Sequence, residues 1–244
     1  PLTKLKNTQS SEIAKVLENS YRAMNIAFIA EWSRLAENSD SDLFEIVSAI
    51  KKRETHKNIM LPGIGVGGYC LTKDPLLASW AAKENYDLNE GLKFSEQSVY
   101  INNSMPNFAF NFLKDKEINL NKKKVGILGV AYGPGISDTR SSPVEKFINL
   151  LKKEGCDIYC HDPYVKFWEE MNLKVSNNLK EFLSKKFDIL IACTKHQDYL
   201  NNSMLLDFLV SKEIVFYDAV KIFDSNEIDK FNSKYFLLGS GSYK

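Results

Sequence analysis

Residues 124–130 read Lys-Val-Gly-Ile-Leu-Gly-Val, a short β-branched run closing on glycine, and the fold turns on them. Upstream, apolar residues recur at helical spacing almost throughout; downstream, strand-like and helix-like stretches alternate. A Gly/Pro loop and a helical stretch over residues 142–154 follow the run. Residues 156–161 (CDIYCH), 187–192 (FDILIA) and 214–217 (IVFY) read as further strands with helical segments between them. This alternation predicts a parallel sheet covered on both faces. The junction falls near residues 118–123, a polar break with Asn119, Asn121 and neighbouring lysines. Residues 1–118 are therefore read as an all-helical domain and residues 119–244 as a parallel α/β domain.

Working back from the junction, residues 90–115 read as a long helix, with a kink or break near Ser104 because Pro106 falls inside it. Over residues 10–37, Ile13, Val16, Leu17, Met24, Ala27, Phe28 and Leu35 recur at three- and four-residue intervals without Pro or Gly. A periodic run of that length suggests a spine shared between domains or subunits. Asp40 or Ser41 is the expected cap of a second helix ending at Lys51, and a further helix is expected over residues 75–85.

Before that last helix stands Pro62-Gly63-Ile64-Gly65-Val66-Gly67-Gly68-Tyr69-Cys70-Leu71-Thr72-Lys73-Asp74-Pro75. Its glycines allow positive φ and close approach to a ligand. Cys70 followed four residues later by Asp74 has the form of a nucleophile with an acid/base neighbour. With Pro75 near the first helical position, both would lie around a helix N-terminus, where free amides and the helix dipole favour a thiolate. A plain Gly-rich turn with one buried cysteine would explain the glycines and leave the rest of the string unexplained.

Bulk composition narrows the field. The 32 basic and 31 acidic side chains give a net charge of +1, which argues against a polyanion-binding surface. Four cysteines, Cys70, Cys156, Cys160 and Cys193, form no CxxC pair, and His56, His161 and His196 are dispersed, so no metal site is expected. Cys156 and Cys160 read as core residues of a strand. No apolar stretch reaches the ~20 residues a membrane helix needs and no signal-peptide pattern opens the chain, so a cytoplasmic setting is the expectation. The chain opens on Pro1 rather than Met, and it is expected to be part of a longer one.

Lys15 and Asn19 are four apart on the first helix and share a face, where they could hold an oxyanion or a water. On its own such a pair is ordinary helix surface, with Glu12 and Glu18 nearby; it gains meaning if it converges on Cys70. Gly129-Val130-Ala131-Tyr132-Gly133-Pro134-Gly135-Ile136-Ser137-Asp138-Thr139-Arg140-Ser141-Ser142-Pro143 lies between a strand and a helix, where open α/β sheets bind ligands. Arg140 would present a phosphate-compatible fork there, although Gly126-x-x-Gly129 is no G-x-G-x-x-G fingerprint. Without that fingerprint Asp162, at the end of the second strand, is not assigned to a ribose. His161 reads as structural and His196 as a candidate site edge.

Taken together, the Lys15/Asn19 pair, the loop ending in Cys70 with Asp74, and Asp138-Thr139-Arg140-Ser141-Ser142-Pro143 resemble the UDP-glucose/GDP-mannose dehydrogenase family of nucleotide-sugar 6-dehydrogenases. The resemblance runs over residues 10–220 or so. It implies a helical central domain that makes a homodimer and a Rossmann-like domain that binds the nucleotide sugar. It also implies an N-terminal NAD-binding Rossmann domain, which is expected to be missing from this chain. Glu18-Asn19-Ser20-Tyr21-Arg22 and Gly67-Gly68-Tyr69-Cys70-Leu71-Thr72-Lys73-Asp74-Pro75 look more like the branch acting on UDP-N-acetylhexosamines, of the mannosamine type.

The resemblance further implies a four-electron oxidation of the sugar C6 alcohol with two NAD molecules. Cys70 would form a thiohemiacetal and then a thioester, Lys15 and Asn19 would face the oxyanion, and Asp74 would organise water. Substrate contacts are implied for Gly65, Gly67, Gly68, Tyr69 and Tyr132, and a cofactor contact for Arg140. Two departures stand out. Gly133 occupies a position where the family usually has a basic residue, and His56, with Arg53 and Lys57 nearby, stands where many members place an arginine reaching the partner subunit's substrate. Without the cofactor domain, the chain is expected to bind a UDP-sugar weakly or not at all and not to reduce NAD. Three alternatives stay open: a β-hydroxyacid dehydrogenase fragment, a UDP-glucose 6-dehydrogenase, and a non-catalytic UDP-sugar-binding and dimerisation module.

Overall fold

The computed structural model describes residues 3–116 and 118–241. Its first half is helical: α1 (Thr8–Asn38), α2 (Leu43–Ile50), α3 (Tyr69–Asn85) and α4 (Lys93–Asp115). Asn7 caps α1 by accepting the N–H of Ser10. The face of α1 that meets α3 and α4 carries small residues, among them Ser20, Ala23, Ala27, Ala30 and Ser33, all buried. Small side chains let the three helices approach closely.

Three boundaries differ from the sequence expectation. Asp42, rather than Asp40 or Ser41, caps α2, accepting from the N–H groups of Phe44 and Glu45, while Asp40 turns the chain at φ 49°. Helix α3 starts at Tyr69, so Pro75 lies inside it instead of opening it. Helix α4 runs unbroken through Pro106, which is buried against its neighbours; packing on α1, α3 and α5 holds it together.

The second half comprises β1 (Lys124–Leu128), α5 (Pro143–Lys153), β2 (Asp157–His161), a hairpin of β3 (Phe167–Trp168) and β4 (Leu173–Lys174), α6 (Leu179–Leu183), β5 (Ile189–Ala192), α7 (Ser203–Ser211), β6 (Val215–Asp218), α8 (Ser225–Ile228) and β7 (Lys234–Leu237). Five strands make one parallel sheet in the order β2-β1-β5-β6-β7. Alternate residues feed opposite faces: Val125, Ile127, Ile189 and Ile191 join the core beneath α4 and α5, whereas Leu128, Leu190 and Phe216 join the one beneath α6 and α7. From β1 the chain goes outward to β2 and then returns to β5 on the other side. The carboxyl ends of β1 and β5 thus flank a switch point, where such sheets open a ligand crevice.

The helical half shares the first of these cores. Met105, Ala109 and Leu113 of α4 pack with Phe147, Ile148 and Leu151 of α5, and Phe112 stacks on Tyr217 with ring centroids 5.2 Å apart. The segment after β7 returns to the helices: Glu37 accepts the N–H of Gly239 at 2.8 Å and Leu43 donates its N–H to the Gly239 carbonyl. Burial pushes the Glu37 carboxyl up to about 7, against the opposing Gly239 N–H and the Lys116 cation, with Asp115 adding to the rise. The folded state therefore holds a proton that the unfolded chain has released. Stability present below about pH 4.5 is lost as pH rises through 7, a span worth about 3 kcal/mol. Glu37→Gln should match the wild type in melting temperature at pH 5 and exceed it by roughly 6 °C at pH 8. Parallel pH profiles for the two proteins would remove Glu37 as the cause. No described helix is long and apolar enough to cross a membrane.

Candidate active site

Cys70 is the second residue of α3 and is exposed, whereas Cys156, Cys160 and Cys193 are buried. Gly68 starts the helix at φ 78°, a conformation that a side chain rarely adopts. Thr72 then ties the first turn by donating its hydroxyl to the Gly68 carbonyl at 2.8 Å. Cys70 thus stands where the free N–H groups of α3 concentrate positive potential. Asp74, four residues on, shares its helical face.

Asp74 is 7% exposed and both of its oxygens are engaged. Asn19 donates its side-chain N–H to Oδ2 at 2.6 Å, and the Lys73 ammonium binds Oδ1 at 2.7 Å. Burial pushes the carboxyl up, but the bonds from Lys73 and Asn19 outweigh it and hold the pKa below the usual value. Asp74 is a fixed carboxylate, suited to accept a proton or orient a water and unsuited to donate. Lys15 reaches Asn19 Oδ1 at 3.4 Å while pairing with Glu18 at 2.9 Å. Lys15, Asn19 and Asp74 therefore form one hydrogen-bonded chain leading to the Cys70 helix. Lys73, whose ammonium also lies 5.0 Å from the centre of the Tyr69 ring, went unread in the sequence.

The glycine loop is seated on the loop between β1 and α5. Gly68 donates its N–H to the Arg140 carbonyl at 3.1 Å. A Cβ at Gly67 would lie 2.4 Å from the Tyr132 Cβ and 2.7 Å from the Ser141 carbonyl, and one at Gly68 would lie 2.9 Å from the Tyr132 ring. Only glycine permits this seating. Gly65 packs in the same way on Pro143 and the Asn102 carbonyl. The structure thus brings Gly65, Gly67, Gly68 and Tyr132 together and sets Tyr69 at the rim. Arg140 is exposed and its guanidinium is clamped on both Asp138 oxygens. Arg53 and His56 stand apart at the short turn after α2, where His56 meets the hydroxyl of Thr55.

The β1–α5 loop is itself held from below. Asp162 is fully buried and accepts from the N–H groups of Val130 and Ala131 through one oxygen, and from those of Tyr164 and Val165 through the other. His196 Nε2 lies 3.1 Å from the Asp162 carboxylate, and the Gly135 N–H donates to His196 Nδ1 at 3.1 Å. Burial raises the Asp162 pKa, but these bonds, His196 first, overcome it and hold the group ionised. With every oxygen taken, Asp162 has a loop to hold and none left for a ribose. His196 bridges the same loop from beneath, and His161, pushed down to about 4 by burial, sits beside Tyr199 within the core.

Residues 9–104 match the model of the UDP-glucose/GDP-mannose dehydrogenase family, central domain, and residues 126–225 match that of its UDP binding domain. The chain belongs to this family. It is 30% identical over 240 residues to the UDP-N-acetyl-D-mannosamine dehydrogenase of Methanocaldococcus jannaschii, covering 97% of this chain and 53% of that protein. The solved UDP-D-ManNAc dehydrogenase of Pyrococcus horikoshii superposes with a TM-score of 0.78 at 26% identity, over 96% of this chain and 53% of that one. An NDP-N-acetyl-D-galactosaminuronic acid dehydrogenase of Methanosarcina mazei shares the fold, with a TM-score of 0.80 at 23% identity over 95% and 51% of the two chains. The chain spans about half the length of the curated relatives it matches.

Proposed function

We propose that the chain supplies the catalytic cysteine and the nucleotide-sugar-binding part of an NAD-dependent UDP-sugar 6-dehydrogenase that oxidises a UDP-N-acetylhexosamine to its uronic acid. Residues 1–118 act as the helical central domain and residues 119–244 as the nucleotide-sugar-binding domain. The observation that supports this reading is the seating of the glycine loop that leads into Cys70 on the β1–α5 loop, at the carboxyl edge of the sheet. Relatives named as UDP-N-acetyl-D-mannosamine dehydrogenases favour the N-acetylhexosamine over glucose.

In this reading the Cys70 sulfur bonds to the C6 aldehyde carbon, and the carbonyl oxygen takes up negative charge. Lys15, with Asn19 beside it, faces that oxygen as cation and donor. Asp74 stays ionised through Lys73 and Asn19, and at the thioester stage it orients the water whose attack frees the acid and returns the thiol. Gly65, Gly67, Gly68, Tyr69 and Tyr132 wall the substrate. Arg53 and His56 serve the neighbouring site of a homodimer formed through α1. For NAD, the exposed Arg140 fork beside Gly68 fits a pyrophosphate, with donors left over from its Asp138 clamp. NAD, when bound, supplies the hydride acceptor for both oxidations. Full-length protein given UDP-N-acetylmannosamine and NAD should yield two NADH per uronate, and turn over UDP-glucose more slowly. One NADH per sugar with free aldehyde would refute the covalent route.

A further inference from the structure

Lys195 follows β5 at the carboxyl edge of the sheet and is half-buried. It lines a cavity of about 150 Å³ between the glycine loop and the strand ends, together with Gly63, Gly65, Tyr132, Gly133 and Val220. No other Lys or Arg, and no Asp or Glu, lines it. The glycines present backbone only, so nothing from their loops brings charge into the space.

Nothing in the described residues neutralises Lys195 by an ion pair. Asp218, at the end of β6, is the nearby carboxylate, and its oxygens accept the N–H groups of Val220 and Ile222. Burial pushes the Asp218 carboxyl up to about 6, against those N–H bonds and the Lys195 cation; above that pH it is a carboxylate, but a fully buried one outside the cavity lining. Arg140 lies outside the lining with its charge answered by Asp138. Lys195 makes no direct ion pair and no carboxylate lines the cavity beside it, so the space is left positively charged and an anion entering it is favoured. Uracil and ribose are neutral; the diphosphate is the part of a nucleotide sugar that matches.

We infer that Lys195 is the cation that grips the diphosphate of the nucleotide sugar in this cavity, in place of any charge at Gly133. The inference rests on the reading that this crevice takes a UDP-sugar. Ligand-observed NMR titrations of UDP and uridine into the full-length protein test it. Lys195→Gln should weaken UDP by about tenfold or more and change uridine by less than about twofold. Lys195→Arg should keep UDP within about threefold of the wild type, and raising salt should weaken UDP more in the wild type than in Lys195→Gln. Unchanged UDP affinity in Lys195→Gln overturns the role of Lys195 while the nucleotide-sugar reading stands. Equal losses of UDP and uridine also overturn it, since they mark a packing effect. A wild type that binds neither ligand overturns the underlying reading, and the inference with it.

Discussion

Cys70→Ser in the full-length enzyme should lower uronate formation by roughly a thousandfold or more and leave the fold intact. The side chain is exposed in the first turn of α3, so the exchange creates no cavity, and a hydroxyl there is far less nucleophilic than a thiolate. Asp74 and Asn19 keep their bond, so substrate affinity should hold while the covalent step fails. Alkylation gives a second readout. Burial pushes the Cys156 thiol up to about 11 and Cys160 up to about 12, and Cys193 also rises well above its ordinary value. Iodoacetamide near neutral pH should therefore add a single group to the folded wild type, at Cys70, and none to Cys70→Ser. Two NADH per sugar from the serine variant would end the thioester mechanism. An adduct at Cys156, Cys160 or Cys193 in folded protein would contradict the burial on which the selectivity rests.

Features set by local chemistry were legible in the sequence. The β-branched runs over 124–130 and 187–192 reappear as β1 and β5, and the periodicity of residues 10–37 as α1. Where several solutions were locally equivalent, tertiary contacts chose. Pro75 looked like a helix opener because its missing N–H costs nothing there; the seating of Gly67 and Gly68 against Tyr132 starts α3 at Tyr69 instead. Pro106 should have broken α4, yet that helix is packed on several sides. Strands β3 and β4 have two residues each, too few for a period, and β7 (KYFL) was passed over. Lys73 went unread, since adjacent helical residues do not ordinarily face each other; its long stem curls back to Asp74 all the same. Lys195 could not be read at all, because the cavity exists only once the end of β5 meets the glycine loop.

A double change, Leu17→Asp with Phe28→Asp, should convert a dimer into a monomer across the micromolar range. Helix α1 has its side chains arranged the wrong way round for a lone subunit. Small residues such as Ala23, Ala27 and Ala30 face the interior, while Leu17, Phe28 and Leu35 are 64%, 53% and 55% exposed. With Ile13, Tyr21, Met24 and Trp32 they form one stripe along a helix about 46 Å long. An exposed apolar strip of that length marks an interaction surface, and in the homodimer proposed above a second copy of the same helix would cover it about a two-fold axis. About such an axis each substitution appears twice, so the two changes bring four carboxylates into one apolar seam. Burying unpaired like charges costs several kcal/mol, enough to weaken association at least a hundredfold. Both side chains are more than half exposed, Leu17 at the rim of a groove shared with α3, so helicity and melting of the separated subunit should change little. Sedimentation velocity decides it: a wild type that is monomeric at micromolar concentration, or a double variant that stays dimeric, removes α1 as the dimer interface.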